Sequence, residues 1–188
     1  MGISAKLLSD CIKGSEKAYY ELYKLCFSDL MSVCVRYYNH QEDSNSSLNK
    51  AFLRIVQNLE KYDVEAPWDR WIKRIMINTI INEYKSNKRR EEMFTTTDYS
   101  ESYVFDSMSY NDILEIINVE HIKSFIHQLP ETQKQVFNMY AIDGYNHKEI
   151  SEMLQIPVGT SKWLLSEARK RLKQKVEASM NITREVAS

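Results

Sequence analysis

The 188-residue sequence predicts an all-α protein made of two small helical domains joined by a flexible acidic linker. Apolar residues recur at every third or fourth position through most of the chain, which is the spacing of helices with one buried face. Glycine and proline are scarce, with 4 and 3 residues, whereas a sheet protein needs many turns. A hydrophobic content of 43% is enough to form cores at this length.

Charge is segregated along the chain, although the formal net charge is only -1. Every charged residue in 85–90 is basic, every one in 91–120 is acidic, and 162–175 is basic apart from Glu167. The average charge speaks against a simple basic nucleic-acid-binding protein, but it hides two basic surfaces separated by an acidic connector. We interpret this segregation as a functional arrangement.

Several classes of function are disfavoured by what the sequence lacks. It contains no recognisable nucleophile–base pair, metal-ligand cluster or glycine-rich phosphate loop, so we expect no catalytic residues, cofactor, metal or small-molecule substrate. Cys11, Cys26 and Cys34 lack metal-ligand spacing and are expected to be free thiols. No apolar run has the form of a signal peptide or the length of a membrane span, so we predict a cytoplasmic protein without a membrane span.

The first predicted domain covers residues 1–90 and is helical throughout. Apolar positions at helical spacing define its elements, and serine, glycine and polar runs mark their ends. In order, the elements are a helix that ends near Gly14, a helix capped by Ser15, a helical stretch over 30–38, a polar break or turn over 39–47, a helix over 48–62, a loop over 63–67 and a long helix over 68–85.

The second predicted domain covers residues 113–178 and follows a linker over 91–112. The linker is rich in Thr, Ser, Asp and Tyr and has no helical stripe. A helical pattern then leads to Pro130, which suits a helix start, and the next helix is expected to stop at Gly144. Residues 179–188 are predicted to form a frayed tail.

Residues 147–172 carry the most informative pattern, two helices joined by a sharp turn. The first helix must stop before Pro157, and Thr160 is placed to cap the second. The second helix has an apolar side and an outer side rich in lysine and arginine, which is the helix-turn-helix pattern; its second helix normally enters the major groove of DNA. An ordinary helical hairpin with a solvated charged face is the alternative, but such a face would mix acids and bases more evenly.

Short motifs occur in a fixed order through both predicted domains. Those of the first are Gly14-Ser-Glu-Lys-Ala18, Leu22-Tyr23, Ala51-Phe52-Leu53, Trp68-x-x-Trp71-Ile72-x-Arg74-Ile75 and Asn78-Thr79. Those of the second are Leu129-Pro-Glu131, Val136-Phe137, Asp143-Gly-Tyr145, His147-Lys-Glu-Ile150, Gly159-Thr-Ser-Lys162 and Ala168-Arg169. Together they resemble the bacterial sigma factors of the extracytoplasmic-function group of the sigma-70 family, over nearly the whole chain. Each motif alone is weak, but their combination in this order is not expected by chance.

The resemblance implies a transcription initiation factor that binds core RNA polymerase and promoter DNA. The first domain would be a sigma region 2 helical bundle that binds the polymerase clamp and melts the minus-ten element. The second would be a sigma region 4 domain that reads the minus-thirty-five element with its helix-turn-helix. The residues implied in polymerase binding are Ser46, Asn49, Lys50, Phe52 and Arg54.

Both DNA-binding functions have candidate residues. Unstacked bases need aromatic or apolar surfaces, and the displaced strand needs cations. The candidates for the melted strand are Trp68, Trp71, Arg74, Asn78, Lys85, Lys88, Arg89 and Arg90. The candidates for the upstream duplex are His147, Lys148, Thr160, Ser161, Lys162 and Arg169. Tryptophans three residues apart often belong to a core instead, which we expect more of Trp71 than of Trp68.

The sequence departs from the family pattern at three places. Ser46 and Lys50 replace acidic residues of the polymerase-binding segment. Gln155 stands where the turn usually has glycine, so a left-handed backbone there would cost about 1 kcal/mol. Trp163 and Leu164 replace small or polar residues of the recognition helix, where they are expected to contact thymine methyl groups or another protein.

Two other functions remain as alternatives. A stand-alone helix-turn-helix regulator would bind duplex DNA without polymerase, but it would not need Trp68, Trp71 and a basic helix suited to single strands. A sigma-like adaptor would choose its DNA site with an accessory DNA-targeting protein. Family members are often held inactive by an anti-sigma factor that covers both domains, and such a factor is a further expected partner.

Overall fold

The computed structural model describes residues 2–94 and 119–186, and side chains over 2–89 and 121–179. Every regular element in this part of the chain is helical, so the predicted all-α class is confirmed. The helices are α1 (Ala5–Ile12), α2 (Glu16–Tyr37), α3 (Gln41–Gln57), α4 (Trp68–Phe94), α5 (Val119–His127), α6 (Glu131–Phe137), α7 (His147–Leu154) and α8 (Val158–Val186). The chain forms two compact units, Met1–Ser86 and Asn87–Ser188. None of the described helices combines the length and apolarity needed to cross a membrane.

Helix α2 is central to the first unit, where it packs against α1 and α3. Its residues Leu22, Leu30 and Val33 are fully buried at helical spacing. Cys34 Sγ lies 3.7 Å from Met76 Sδ, which joins α2 to α4 inside the core. The first unit is therefore a helical bundle with one continuous apolar interior.

The helix starts of the first unit follow local sequence signals. Ser4 Oγ accepts a hydrogen bond from the backbone N–H of Leu7 at 3.2 Å, and Ser15 Oγ accepts one from Ala18 at 3.4 Å. Between these caps Gly14 has a φ of 82°, which glycine adopts without steric cost. The predicted end of α1 and the predicted cap of α2 are both confirmed.

The first unit differs from the sequence prediction in two places. Helix α2 runs without interruption to Tyr37, so the stretch over 30–38 is not a separate helix. The predicted break over 39–47 is wrong, because α3 already begins at Gln41. Ser44 and Ser47 continue the buried face of α3, and Ser44 Oγ donates to the backbone carbonyl of His40 at 3.3 Å. Because the buried positions in the first turns of α3 are serines, apolar periodicity did not predict this part of the helix.

All three cysteines are buried free thiols. Burial raises the pKa of Cys26 and of Cys34 to about 12. Burial also raises the pKa of Cys11, with a smaller contribution from nearby Asp10. The thiols therefore remain protonated at neutral pH and act as small apolar residues.

Helix α8 is central to the second unit and packs against α5, α6 and α7. The carbonyl of Pro130 accepts from the backbone N–H of Lys134 at 2.9 Å, which confirms the predicted start of α6. A π-helical turn over Asn138–Ile142 follows α6, and Gly144 then turns the chain with a φ of 78°. The predicted stop at Gly144 is confirmed.

Both ends of α7 are well defined. A capping box starts it: Asn146 Oδ1 accepts from the backbone N–H of Glu149 at 3.1 Å, and Glu149 Oε2 accepts from that of Asn146 at 2.8 Å. Gln155 ends it in the left-handed region, with φ 57° and ψ 44°. The sequence therefore does place a non-glycine residue in the left-handed conformation at this turn.

Three boundaries differ from the prediction. The backbone N–H of Ser161 donates to the carbonyl of Pro157 at 3.0 Å, so α8 starts at Val158 and Thr160 lies within its first turn rather than at its cap. Helix α8 also continues to Val186, through most of the predicted frayed tail. Helix α4 extends to Phe94, past the predicted linker start at 91. The rest of the linker and the helical pattern over 113–118 lie outside the described residues.

Candidate nucleic-acid interfaces

One face of α4 carries most of the residues predicted to contact a melted strand. Trp71, Arg74, Asn78 and Lys85 are three, four and seven residues apart, so they share one side of the helix. Lys88 and Arg89 are exposed and follow at the same spacing. Arg90 belongs to α4, but its side chain lies outside the described residues.

A cavity of about 460 Å³ opens beside this face. Its lining is formed by Arg54, Asn58, Lys61, Trp71, Ile75 and Asn78. Arg54 Nη1 donates to Thr79 Oγ1 at 3.2 Å, and Lys61 Nζ donates to Asn58 Oδ1 at 3.0 Å. Arg54, which the resemblance assigned to polymerase binding, therefore lies at this cavity.

The two tryptophans of α4 occupy the reverse of their expected positions. Trp68 is only 3% exposed, whereas Trp71 is half-buried and lines the cavity. Tyr62 packs edge-on against Trp68 at 5.0 Å between ring centroids and also contacts Trp71 at 5.1 Å. The expectation that Trp71 is the more buried tryptophan was wrong. In this conformation the buried ring of Trp68 packs against that of Trp71, with 5.3 Å between their centroids, and leaves no ring face accessible to a base.

Exposed positions on α3 form the predicted polymerase-binding surface. Ser46, Asn49 and Lys50 are exposed, and Phe52 is half-buried. The ring of Phe52 packs edge-on against Tyr23 of α2 at 5.0 Å, and Tyr23 Oη donates to Asn49 Oδ1 at 3.3 Å. Tyr23, a residue of the Leu22-Tyr23 motif, thus joins this surface to α2, and its pairing with Phe52 and Asn49 could not be predicted from the sequence.

Lys50 is paired inside the chain. Lys50 Nζ lies 2.6 Å from Glu83 Oε1, and Tyr38 Oη donates to Glu83 Oε2 at 2.5 Å. Burial alone would raise the pKa of the Glu83 carboxyl, but hydrogen bonds from Lys50, Tyr38 and Ser47 outweigh burial and lower it. The basic residue at position 50 is therefore balanced by an acid on α4. Sequence reasoning missed Glu83, because the two residues are 33 positions apart.

A small cluster joins the two helices of the helix-turn-helix. His147 Nδ1 lies 3.0 Å from Ser161 Oγ, and the imidazole stacks on Tyr140 with 4.5 Å between ring centroids. The Arg169 guanidinium lies 5.7 Å from the centroid of the same Tyr140 ring. Burial, with the charges of Lys162 and Arg169, lowers the pKa of His147, so its imidazole is neutral at neutral pH.

The structure divides the predicted upstream-duplex residues into two groups. Ser161 is 0% exposed and faces His147, so its predicted DNA contact is wrong for this conformation. Lys148, Lys162 and Arg169 are exposed, whereas His147 and Thr160 are half-buried. These exposed cations leave the start of α7 and one side of α8 basic.

The two bulky residues of the recognition helix also separate. Leu164 is 7% exposed and belongs to the core, whereas Trp163 is 58% exposed. Leu164 therefore lies on the apolar side of the helix, as its spacing with Leu165 and Ala168 predicts, and its expected contact with thymine methyl groups or another protein is wrong. A one-residue step in a helix rotates a side chain by about 100°, which is enough to separate Leu164 from Trp163.

Comparison with known families gives matches in both units. The family model described as Sigma-70 region 2 matches residues 22–90, and that described as Sigma-70, region 4 matches residues 120–172. RNA polymerase sigma factor SigZ of Bacillus subtilis is 30% identical over 149 residues, which cover 77% of this chain and 78% of that protein.

Other relatives match over almost their whole length. The ECF RNA polymerase sigma factor SigW of Bacillus subtilis is 25% identical over 179 residues, or 91% of this chain and 95% of that protein. The ECF RNA polymerase sigma-E factor of Escherichia coli K12 is 25% identical and covers 88% of this chain and 90% of that protein. Among solved structures, RpoE of Bartonella quintana, in complex with the anti-sigma factor NepR, has a similar fold: the TM-score is 0.55 at 15% identity, over 86% of this chain and 98% of that one.

Proposed function

The chain belongs to the extracytoplasmic-function group of the sigma-70 family, and from that premise we propose how its two units divide promoter recognition. It is a transcription initiation factor that directs RNA polymerase to promoters and is not an enzyme. In our proposal the first unit captures the melted strand of the minus-ten element. The helix-turn-helix of the second unit reads the upstream duplex.

The observation that carries the first assignment is the cavity beside α4. Its volume of about 460 Å³ lies within the range of small-ligand pockets, which is roughly 300–1,000 Å³. Trp71 and Ile75 give it an apolar wall on which a base can stack, and the amides of Asn58 and Asn78 can hydrogen-bond a base edge. A base can enter such a cavity only after it leaves the duplex stack.

Cations surround this cavity on the sides where the strand backbone would run. Arg54 and Lys61 line it, and Arg74 is exposed on the same face of α4. Lys85, Lys88 and Arg89 extend the basic face along the helix. Phosphates of a displaced strand can therefore be neutralised while one base is held in the cavity.

The exposed cations of the helix-turn-helix support the second assignment. Lys162 and Arg169 lie on the outer side of α8, and Lys148 lies in the first turn of α7, where helix N-termini favour phosphates. We place Thr160 in the same set because it lies in the first turn of α8. His147 acts by positioning: it holds Ser161 and Tyr140 rather than offering a charge to DNA.

The α3 surface is our proposed contact with core RNA polymerase. Ser46, Asn49 and Lys50 are exposed there, beside the Tyr23–Phe52 aromatic pair. The solved relative was crystallised with an anti-sigma factor, and we propose that this chain too has an anti-sigma partner. Binding to core polymerase places the chain in the cytoplasm in this proposal.

Promoter opening by the reconstituted holoenzyme tests the cavity assignment. A stacked base is worth about 1–3 kcal/mol, so Trp71→Ala should reduce open-complex formation at least fivefold. Asn78→Ala removes a hydrogen bond worth about 0.5–1.5 kcal/mol, so it should reduce opening about two- to tenfold. Permanganate reactivity of unpaired thymines reports opening, and binding to the isolated upstream duplex should stay unchanged. Lys17→Ala, an exposed change on α2, is the control. Equal opening by the wild type and both cavity variants would remove the cavity from the mechanism.

Binding to core RNA polymerase should be tested first, by co-elution in size-exclusion chromatography. The wild-type chain should elute with the core enzyme of its own host. A chain that binds the upstream duplex but never the polymerase would instead be a stand-alone regulator.

A further inference from the structure

Trp163 lies in the second turn of α8 and points away from its own domain. Its side chain is 58% exposed, whereas Ser161, Leu164, Leu165 and Ala168 on the same helix are at most 7% exposed. At about 100° per residue, position 163 lies nearly opposite the middle of this buried side. The fold therefore gives the indole no packing partner on its own side of the helix, and an apolar surface of this size is left for something outside the domain.

The charged residues near Trp163 are basic apart from Glu167, which lies one turn further along the helix. Lys162 precedes it, and Lys170 lies two turns further along the same face; both are exposed. Arg169 is exposed on the flank of that face. An exposed apolar group whose charged neighbours are mostly cations suits a polyanion that displays small apolar groups better than it suits an apolar protein surface. Duplex DNA has this combination, since thymine carries a methyl group in the major groove.

Gly159 provides a second, independent observation. It lies one turn before Trp163 on the same face of α8, and a Cβ built there would meet nothing within 4 Å. The fold itself therefore does not need glycine at this position, although glycine is unfavourable in helices. A missing side chain beside Trp163 lets an external surface approach the helix backbone closely, as bases do at the N-terminal end of a recognition helix.

We propose that Trp163 is a specificity-determining residue that reads the C5 methyl group of thymine in the major groove of the upstream element. The inference rests on the proposed function of the helix-turn-helix. The indole ring packs against the methyl group, and its N–H, a donor only, can reach the thymine O4 acceptor. Cytosine offers an N4 donor and no methyl group at this position, so it is rejected on both counts.

Replacing thymine by deoxyuridine tests the proposal, because the change removes only the methyl group. The full chain, bound to its host's core polymerase, first selects upstream duplexes from random DNA. Each thymine of the selected duplex is then replaced in turn, and affinity is measured for the wild type, Trp163→Ala, Trp163→Phe and Lys162→Ala. One buried methyl group corresponds to about a fourfold change in affinity.

For the wild type, we expect affinity to fall about fourfold when one or two particular thymines are replaced by deoxyuridine. Trp163→Ala should bind more weakly than the wild type and have equal affinity for thymine and deoxyuridine at those positions. Trp163→Phe should keep part of the preference for thymine. Lys162→Ala should bind more weakly but keep the full methyl dependence, because it removes only a charge.

Three results would overturn the proposal. The first is that the wild type binds thymine and deoxyuridine duplexes equally well. The second is that Trp163→Ala keeps the preference for thymine. The third is that Trp163→Ala selects the same duplex and binds it with the same affinity as the wild type, which would indicate that the indole contacts a protein partner instead. A wild-type holoenzyme that selects no duplex would instead overturn the proposed function of the helix-turn-helix, which is a separate outcome.

Discussion

The two candidate DNA-binding faces have opposite curvature. The face on α4 borders a cavity whose polar residues already hold one another, as Arg54 does with Thr79 and Lys61 with Asn58. The face on α8 is a convex helix surface with Trp163 at its crest. A cavity can enclose a base only after that base has left the duplex, whereas a convex helix fits a groove of intact duplex. This difference supports our proposal that the first unit captures a single strand and that the second reads duplex DNA.

The tryptophans show the same contrast at the level of one residue type. Trp68 is enclosed by Tyr62 and Trp71 in the first unit, and Trp163 is the most exposed tryptophan of the chain. Trp68 therefore stabilises the first unit, whereas Trp163 is accessible to a binding partner. Substitutions that remove each ring should therefore separate stability from recognition.

The largest expected effect is on stability, from Trp68→Ala. Removing a buried aromatic side chain typically costs about 3–5 kcal/mol, because a cavity remains. Trp163→Ala should change stability by less than about 0.5 kcal/mol, since the ring is exposed. Urea unfolding followed by circular dichroism measures both. If both variants lost equal stability, the contrast between the two tryptophans would be wrong.

A smaller effect is expected from Lys162→Ala combined with Arg169→Ala. Each phosphate contact contributes about 0.9 to the slope of log affinity against log salt, so the slope should fall by nearly 2. Titration of the upstream duplex at several salt concentrations measures it. Opening of a template with a preformed bubble should be affected little. An unchanged slope would mean that α8 meets DNA with another side.

The next effect concerns Lys50 and Glu83. Lys50→Glu should destabilise the first unit by about 1 kcal/mol, because it places an acid beside Glu83 where a 2.6 Å ion pair was. Lys50→Gln should cost about 0–1 kcal/mol, since the Lys50 side chain is 60% exposed. Thermal unfolding of both variants at neutral pH measures the costs. Lys50→Gln is therefore the cleaner probe of polymerase binding.

The Lys50 effect should also depend on pH. Glu83 has a lowered pKa in the folded chain, so its stabilisation is present above its unfolded pKa of about 4.3 and is lost as pH falls through the lower folded value. The stability difference between the wild type and Lys50→Gln should thus narrow below about pH 4. A difference that stayed constant would show that the ion pair does not contribute.

The smallest effect is expected from Gln155→Gly. Gln155 has a φ of 57°, and glycine relieves the left-handed strain, which is about 1 kcal/mol. The greater freedom of glycine in the unfolded chain offsets part of this gain, so a few tenths of a kcal/mol should remain. The second unit's melting temperature measures it. A lower melting temperature would mean that Gln155 makes a favourable contact.

Local signals made much of the fold predictable from the sequence. Ser15, Pro130 and Gly144 act through backbone chemistry within a few residues, and each marks a helix end where expected. The left-handed backbone at Gln155 was anticipated only from the family resemblance, because the turn usually has glycine at that position. The two-unit, all-helical plan follows from the same local rules.

Tertiary packing decided what the sequence could not predict. Ser161 and Trp163 both lie in the first turns of α8, yet one faces His147 and the other solvent. Trp68 and Trp71, three residues apart, lie only about 60° from each other around α4, so periodicity alone could not decide which of them is buried. Glu83 could not be linked to Lys50, since their contact exists only when α3 packs beside α4.

The burial of all three cysteines has a consequence for chemical labelling. Burial raises the pKa of Cys26 to about 12, so this thiol is protonated at pH 7, whereas thiolate is the form that attacks maleimides and disulfides. The folded chain is therefore nearly inert toward such reagents. A cysteine introduced at the exposed position Ser166 would be its fast-reacting thiol, and a dye or cross-linker could be attached beside the recognition face without first removing the native cysteines.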